Sequence, residues 1–274
     1  MIKPMLAHKF DESRVDFSEP VYIQPKLDGV RCVFTKDGAF SRTGKQFMNV
    51  RHIEMALQPL FNTSPHMILD GELYNHKLKH DFEKIISCVR KTKPTDADRA
   101  ESRRLVQFHC YDIVDETLIF EERNSFIQKH LLFNNYGIRS VDTHEVHAEK
   151  YANQLHKIFL DKGYEGSILR LNDLYQCKRS HSLRKFKDFH DAEAVLVDWV
   201  EGKGKRKGTI GKFTAIDADG NTFGMPVMDN FKKLQTMFKE MQAWVGKEAT
   251  FTYFERTKAG SYRHPLFKAI RDYE

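Results

Sequence analysis

The sequence feature that most constrains the fold is a set of charged pairs inside segments that otherwise have the composition of β-strands. The members of each pair are separated by one residue, and this spacing places both side chains on the same face of a strand. Apolar residues flank every pair, so the opposite face of each strand is expected to be buried. The pairs are Lys26 and Asp28, Asp70 and Glu72, and Lys185 and Lys187.

A single pair of this kind is usually a solvated strand face, but three pairs favour a charged cleft shared between sheets. Leu27 and Phe186, which separate the members of two pairs, are predicted to face the core. Gly71, inside the third pair, allows a ligand or another backbone to approach closely. Because lysines neutralise phosphate oxygens and carboxylates bind divalent cations, such a cleft is suited to a phosphate and its metal ion.

Turn signals and hydrophobic periodicity predict a mixture of strands and helices before residue 186. The Asp37-Gly38 step between two strand-like runs predicts a hairpin. Apolar residues at helical spacing predict helices at 78–91 and 149–162, the second ending at Gly163. Hairpins with interspersed helices indicate an α+β fold and not regular βα repeats. Further strands are predicted at 21–27, 67–74, 105–114 and 166–171.

The character of the sequence changes near residues 186–191, which predicts a domain boundary there. Beyond it the chain consists of short strand-like runs and glycine-rich turns, with one helical stretch at 229–243. This pattern fits a small β-barrel such as an OB-fold, although periodicity alone does not distinguish it from other small barrels. The predicted domains are residues 1–187 and 188–274.

Net charge, hydropathy and cysteine spacing narrow the class of protein further. The chain has 44 Lys+Arg against 38 Asp+Glu, a net charge of +6 that is compatible with a polyanionic partner without requiring one. No apolar run approaches the roughly 18–20 residues that span a bilayer, and no secretory leader is recognisable, so a cytoplasmic protein without a membrane partner is expected. The four cysteines lie far apart and form no CxxC pair, which argues against a zinc site or disulfide framework.

A series of short motifs resembles those of the small, virus- or phage-type ATP-dependent DNA ligases. Each motif alone is common, but all of them in this order and with these separations are specific, and they extend over nearly the whole chain. The ligases belong to the covalent nucleotidyltransferase superfamily, which also contains RNA ligases and mRNA-capping enzymes. The motifs are K-L-D-G-V-R (26–31), S-R-T-G-K (41–45), D-G-E-L (70–73), Y-D (111–112), E-G (165–166), K-F-K (185–187) and D-A-E-A (191–194).

The resemblance implies a fold and a reaction. The fold is an adenylation (nucleotidyltransferase) domain of antiparallel sheets with helices over residues 1–187, followed by an OB-fold barrel over 188–274. The reaction seals 3′-hydroxyl/5′-phosphate nicks in duplex DNA through a lysyl–AMP intermediate and a DNA-adenylate, with release of AMP and diphosphate.

The resemblance assigns Lys26 as the nucleophile that attacks the α-phosphate of ATP, with Asp28, Lys185 and Lys187 as further catalytic residues. An attacking amine must be unprotonated, whereas a free lysine has a pKa of about 10.4. Asp28 alone would favour the protonated form, so the sequence does not explain how Lys26 is activated. The alternative for Lys26 is an ordinary exposed lysine.

Contacts with ATP follow from the same matched positions. Gln24 would recognise the adenine edge, Tyr111 would stack on the adenine ring, and Glu72 would accept from a ribose hydroxyl. Lys185 and Lys187 would contact the α-phosphate and stabilise the charge that develops on it. The alternative for Tyr111 is a core tyrosine whose hydroxyl is hydrogen-bonded within the protein.

The resemblance also implies a metal site and contacts with the nick. Glu165 and Glu72 would hold Mg²⁺ (or Mn²⁺), directly or through water, and otherwise are surface carboxylates. Arg31 and Arg42 match positions that contact the ribose and the nick phosphate, and Arg179 matches an arginine that also serves this phosphate. A planar guanidinium suits such bidentate contacts.

A basic, glycine-rich turn in the second predicted domain is interpreted as a contact with the DNA backbone. Its residues Lys203, Lys205, Arg206 and Lys207 lack the spacing of a Walker motif, so a nucleotide-binding loop is not expected there. Binding through such a turn would be independent of sequence and sensitive to salt. The alternative is a solvated hairpin tip.

Two competing functions remain compatible with the sequence. The first is an RNA ligase or mRNA-capping-type guanylyltransferase, which shares the core motifs; the D-A-E-A run and the small barrel favour the DNA ligase. The second is a nucleic-acid-binding module without catalysis, although such a module would not need the acidic residues. A monomer is expected. The segment 267–272 loosely resembles the last motif of the family, whose basic residue orients diphosphate.

Overall fold

The computed structural model describes residues 2–131, 137–257 and 260–271. It divides into two compact units, Met1–Lys187 and Asp188–Glu274, and the division falls at the position expected from the sequence. Strands and helices are mixed in the first unit, which confirms the α+β class.

The described residues of the first unit form ten strands, arranged in two five-stranded sheets. Neighbouring strands are antiparallel except for one parallel pair in each sheet, formed by the first and tenth strands and by the sixth and seventh. The strands are β1 (Leu6–Lys9), β2 (Val21–Pro25), β3 (Val30–Thr35), β4 (Gly38–Phe40), β5 (Leu69–Tyr74), β6 (Gln107–Ile113), β7 (Ile138–Ser140), β8 (His144–Val146), β9 (Ser167–Leu171) and β10 (Arg179–Phe186). The first sheet has the order β1-β10-β9-β2-β8 and the second β4-β3-β5-β6-β7.

Five α-helices are formed by the described residues of the first unit, and two of them were expected. The helix expected at 149–162 spans Glu149–Asp161, and Gly163 follows it with a φ of +83°, as a C-terminal glycine does. The helix expected at 78–91 is shorter, because a 3-10 turn at His76–Leu78 precedes it. The helices are α1 (Arg51–Thr63), α2 (Phe82–Val89), α3 (Asp96–Leu105), α4 (Phe120–Leu131) and α5 (Glu149–Asp161), with a further 3-10 turn at Glu12–Arg14.

The largest hydrophobic cluster lies between the second sheet and its helices. Ile53 and Leu57 of α1 pack there with Phe34 and Phe108 of the sheet. Gly71 permits this packing, because a Cβ at that position would lie 2.4 Å from the Phe108 ring. The close approach expected at Gly71 is therefore made by strand β6. Alternation along β5 directs Glu72 to the opposite face of the sheet.

The chain crosses from the first sheet to the second between β2 and β3. The sequence interpretation was wrong here, since Lys26 and Asp28 lie in this connection and not within a strand. Lys187 likewise follows the end of β10. The chain must leave one sheet to enter the other, and Gly29 passes so close to β5 that a Cβ would lie 2.5 Å from the Leu73 carbonyl oxygen.

Leu27 and Phe186, in contrast, occupy the core positions that the sequence predicts. Leu27 is buried with Tyr74 and Val141. Phe186 packs against the core of the first sheet and stacks on His156, with ring centroids 3.6 Å apart. These contacts direct the charged neighbours of both residues away from the core.

The described part of the second unit contains a five-stranded sheet, a short two-stranded sheet and one α-helix. Numbered along the chain, the five long strands lie side by side in the order third, second, first, fourth and fifth. In the sequence, the helix lies between the third and the fourth of these strands. This arrangement is compatible with the expected OB-fold barrel. The elements are β11 (His190–Glu201), β12 (Ile210–Ile216), β13 (Thr222–Pro226), α6 (Phe231–Lys239), β14 (Glu248–Tyr253), β15 (Glu255–Arg256), β16 (Tyr262–Arg263) and β17 (Leu266–Ile270), with 3-10 turns at Gly204–Arg206 and Met241–Ala243.

Phe213 and Phe251 are fully buried at the centre of the second unit's core. The helix expected at 229–243 occupies 231–239. Of the helices in the three described ranges, none combines the length and apolar character needed to cross a membrane.

Candidate active site

The centre of the site is Glu165, whose buried carboxylate is paired with two lysines. Its Oε2 contacts the Nζ of Lys26 and its Oε1 contacts the Nζ of Lys187. Only 4% of the Glu165 side chain is exposed, against 21% for Lys26. A buried carboxylate is tolerated when it is paired and hydrogen-bonded in this way. The two lysines and one carboxylate leave a net positive charge.

Backbone hydrogen bonds hold the first lysine opposite this glutamate. The Lys26 amide donates to the Gly166 carbonyl at 2.8 Å, and the Glu165 amide donates to the Lys26 carbonyl at 3.0 Å. These bonds continue the pairing of β2 with β9 by one residue. Gly166 is required at its position, because its φ is +141° and a Cβ would lie 2.3 Å from the Phe186 carbonyl oxygen. The E-G motif thus aligns the carboxylate with the amine.

Lys185 brings a third amine to the same region. Burial lowers its pKa, and the positive charges of Lys26, Arg179 and Lys9 lower it further. An anion bound beside these groups would relieve their repulsion, so the cluster is suited to a phosphate.

Glu72 provides the second carboxylate, on the face of β5 turned away from the helices. Burial raises its pKa to about 7, and the neighbouring carboxylates Asp70 and Asp28 raise it too, while Lys26 and Arg31 act in the opposite direction. Glu72 therefore lies within electrostatic range of the lysine cluster. The structure brings together members of all three charged pairs, as the sequence predicts.

Arg31 is held in place by Asp70. Its Nε donates to Asp70 Oδ1 at 2.9 Å, its Nη2 donates to Oδ2 at 2.5 Å, and its Nη1 donates to the Met5 carbonyl at 2.7 Å. The Tyr175 hydroxyl also donates to Asp70, at 2.7 Å. Asp70, which is 1% exposed, thus orients the guanidinium.

Gln24 is buried and hydrogen-bonded to the protein at both ends of its amide. Its Nε2 donates to Thr143 Oγ1 at 2.8 Å and lies 3.4 Å from the Tyr111 carbonyl, and its Oε1 accepts from Arg170 Nε at 2.7 Å. The expected contact with adenine would require Gln24 to exchange one of these bonds. The Tyr111 hydroxyl lies 3.5 Å from Glu72 Oε2, so its side chain borders the cleft, and its stacking on adenine stays a prediction.

Asp112 joins the two sheets through buried arginines that the sequence interpretation missed. Its Oδ2 accepts from Arg170 Nη1 at 2.5 Å, and its Oδ1 accepts from Arg123 Nε at 2.7 Å. The Arg170 guanidinium also lies 5.3 Å from the centre of the Tyr111 ring. Arg170 could have been found, because it interrupts the apolar run of β9 in the way the three charged pairs interrupt theirs.

Within the described residues, two arginines of the first unit form no ion pair with Glu165, the centre of the site. Arg42 is exposed in the turn after β4, and within the described residues no contact joins it to Lys26 or Glu165. Arg179 is exposed at the start of β10 and donates to the Ala7 carbonyl at 2.5 Å, although its charge acts on Lys185. Their expected contacts with a nick phosphate remain predictions.

The basic turn of the second unit divides into exposed lysines and an inward arginine. Lys203, Lys205 and Lys207 are exposed. Arg206 differs from the expectation of a DNA contact, because its Nη2 donates to the Val227 carbonyl at 2.7 Å and so supports the turn. In the C-terminal segment, Lys268 and Arg271 pair with Asp191 and Glu193, while Asp272 lies outside the described residues.

The carboxylates of Glu165 and Glu72 are suited to supply part of the ligand set of a magnesium ion. Within the described residues, no group of three or more His, Cys, Asp or Glu side chains is arranged to hold a metal. Mg²⁺ is usually bound through one or two carboxylates together with substrate phosphates and water. Glu165 and Glu72 match this donor set, although both oxygens of Glu165 contact lysines.

Sequence comparisons identify relatives of the chain. The family model described as the ATP-dependent DNA ligase domain matches residues 4–187. A DNA ligase of African swine fever virus is 33% identical over 232 residues, which cover 77% of this chain and 52% of that protein. The ligase of a Vero-adapted strain of the virus is 30% identical over 237 residues, with the same coverage. The chain thus spans about half the length of the curated relatives it matches.

Solved structures share the fold. A Lig E DNA ligase, described as binding DNA with a minimal scaffold, superposes with a TM-score of 0.79 at 23% identity, over 99% of this chain and 100% of that chain. The ATP-dependent DNA ligase from bacteriophage T7, in complex with ATP, gives 0.56 at 19% identity, over 98% of both chains. The nucleotidyltransferase fold expected from the motifs is therefore confirmed.

Proposed function

Because the chain belongs to the ATP-dependent DNA ligase family, we propose that it seals 3′-hydroxyl/5′-phosphate nicks in duplex DNA at the expense of ATP. The observation that carries this proposal is the pairing of Lys26 with the buried Glu165, beside Lys185 and Lys187. An amine held at a fixed position among phosphate-neutralising cations suits nucleophilic attack on a phosphoryl group.

In the first step, the unprotonated Lys26 amine attacks the α-phosphate of ATP. A P–N bond forms, the bond to the leaving diphosphate breaks, and the lysine carries AMP. Glu165 fixes the position of Nζ, and Lys185 and Lys187 neutralise charge on the phosphate oxygens.

In the second step AMP moves to the 5′-phosphate of the nick, and in the third the 3′-hydroxyl attacks that phosphate and releases AMP. Arg31 would contact the ribose of the nucleotide, Arg42 and Arg179 would contact the nick phosphate, and Asp28 would assist sealing. Mg²⁺ or Mn²⁺, held by Glu165 and Glu72, would supply charge neutralisation on the phosphate oxygens.

The second unit would contact DNA through its basic turn. Lys203, Lys205 and Lys207 would lie along the phosphate backbone, with Arg206 supporting the turn. We expect a monomer that acts in the cytoplasm, because its two substrates, ATP and DNA, are intracellular.

Intact-protein mass spectrometry after incubation with ATP and Mg²⁺ tests the first step. The protein is expected to gain the mass of one AMP, located on the peptide that contains Lys26, and Lys26→Ala is expected to abolish the gain. Lys36→Ala, which removes an exposed lysine from a hairpin turn of the same unit, is the matched control and should retain it. An adduct that persists in Lys26→Ala would exclude Lys26 as the nucleophile.

The alternatives make different predictions in the same assay. A guanylyltransferase would form lysyl–GMP in preference to lysyl–AMP, and an RNA ligase would seal nicked RNA faster than nicked DNA. A binding module without catalysis would form no adduct. The DNA ligase proposal requires an AMP adduct followed by sealing of nicked duplex DNA.

A further inference from the structure

A cavity of about 780 Å³ lies outside the candidate active site, in the helical layer of the first unit. The first turns of α1, the second half of α3 and the beginnings of β6 and β7 form its walls. Its position is on the face of the second sheet opposite to Glu72, because α1 packs on the face that carries Phe34 and Phe108. The cavity is called the arginine groove here, after its lining residues Arg51, Arg99, Arg103, Arg104 and Arg139.

The charge of the arginine groove is unusually one-sided. Of the described residues that line it, none is acidic. Arg51, Arg103 and Arg104 form no ion pair with any described residue, whereas lysines nearby are paired: Lys84 with Glu101 at 2.7 Å and Lys91 with Asp98 at 3.1 Å. Glu54 lies within electrostatic range of Arg51 and Arg99, and Glu101 lies within range of Arg104. Five arginines near two carboxylates still leave the concavity with a net positive charge, which attracts anions.

Helix electrostatics explain only part of this arrangement. Arg103 and Arg104 lie in the last turn of α3, where the helix dipole favours cations. Arg51, however, begins α1, where the dipole disfavours a cation, and no side chain caps that helix. The Arg51 cation therefore opposes the dipole, and Glu54 in the first turn of the same helix interacts with its charge without forming an ion pair.

A buried acceptor in the wall is also without a partner. Asn49 is 1% exposed, and its Nδ2 donates to the Cys88 carbonyl at 2.9 Å. Its Oδ1 has no hydrogen-bond partner among the described residues. Buried acceptors are nearly always satisfied, and this oxygen is inaccessible from the groove, so a buried water is expected here.

We propose that the arginine groove binds the phosphate backbone of a nucleic-acid strand outside the catalytic cleft. Guanidinium groups match phosphate oxygens bidentately, and here they come from three separate segments, as contact with successive phosphates requires. Contacts of this kind confer affinity without reading sequence. The inference rests on the proposed function, because the strand held there is the DNA that the enzyme seals.

Binding of labelled nicked duplex to the full chain, measured by anisotropy at several NaCl concentrations, tests the groove. Each lost phosphate contact lowers the slope of log affinity against log salt by about 0.9. The double variant R103Q/R104Q should therefore lose about two units of slope and on the order of tenfold in affinity. K129Q/K150Q removes two exposed lysines elsewhere in the unit and should change neither.

Arg51→Gln separates binding from folding. It removes a cation that the helix dipole disfavours, so it should not lower the melting temperature, yet it should reduce the salt slope by about one unit. Unchanged slopes in both groove variants would overturn the proposal. It would also be overturned if inorganic tripolyphosphate stabilises the wild type but not R103Q/R104Q while DNA binding is unaffected, since the groove would then hold a free polyphosphate. Lysyl–AMP formation by the wild type tests the proposed function independently.

Discussion

Glu165 shows how one residue organises the candidate site. Its carboxylate is the common partner of Lys26 and Lys187, which lie near the beginning and at the end of the sequence of the first unit. Without that negative charge the two ammonium groups would repel each other, and the position of the Lys26 amine would no longer be defined. We infer that Glu165 positions the nucleophile in addition to any role in holding a metal ion.

Glu165→Gln is expected to slow lysyl–AMP formation on the order of a hundredfold, because it removes one preorganised electrostatic contact. The rate of adduct formation, followed by mass spectrometry, measures the effect. Glu145→Gln, an exposed change on β8, should leave the rate unchanged. A normal rate in Glu165→Gln would show that the salt bridges do not position Lys26.

Glu72 makes the free energy of unfolding of the protein depend on pH. Burial raises its pKa to about 7, from about 4.5 for an ordinary glutamate. The folded state therefore keeps a proton on Glu72 after the unfolded state has lost it. The stabilisation from this group is fully present below pH 4.5 and is lost as the pH rises through 7.

Glu72→Gln should remove this dependence. As the pH rises from 4.5 to 8, the wild type is expected to lose up to about 3 kcal/mol of unfolding free energy relative to the variant. Urea unfolding of both proteins at a series of pH values measures the difference. If the difference between the two proteins does not vary with pH, Glu72 titrates as an exposed carboxylate.

At the scale of structural elements, Asp112 connects the two sheets. It is fully buried on β6 and pairs with Arg170 of β9 and Arg123 of α4. Arg170 in turn bonds Gln24 of β2. The network therefore fixes the position of β2, which leads to Lys26, relative to β6, which carries Tyr111.

Asp112→Asn should destabilise the first unit by about 3–5 kcal/mol, because it leaves two buried arginines without a countercharge. Denaturant unfolding measures the loss. Asp161→Asn, which breaks the exposed pair with Lys157 on α5, is the control and should have little effect. Equal effects of the two substitutions would contradict a structural role for the network.

At the scale of the whole molecule, the two units have separate hydrophobic cores. Every hydrophobic cluster among the described residues draws its members from one unit only. The expected domain boundary falls in the three residues between β10 and β11. Separate cores imply that damage to one core should be confined to its own unit.

Phe213→Ala should lower the stability of the second unit by about 3–5 kcal/mol. Hydrogen exchange should accelerate in the strands β11–β14 while that of β2 and β3 stays unchanged. Phe34→Ala, which removes an equally buried ring from the first unit, should give the reverse pattern. Faster exchange in both units of either variant would show that they unfold as one.

The charged pairs and their apolar neighbours allowed much of the site to be predicted. Leu27 and Phe186 are in the core as expected, and the charged residues beside them belong to one cluster. The helices α1, α3 and α4 were not predicted. In α1 a proline at position 59 weakens the helical signal, and α3 has a low apolar content, so tertiary packing decides both.

The sequence by itself determined the family motifs, the α+β class and the residue types that a phosphate site needs, because these depend on local order along the chain. Only the tertiary structure decided that Glu165 pairs with Lys26 across 139 positions, and that Asp112 joins two sheets. It also decided that arginines from three segments surround one groove. Such contacts arise from the packing of distant segments, and no local pattern specifies which charge will neutralise which.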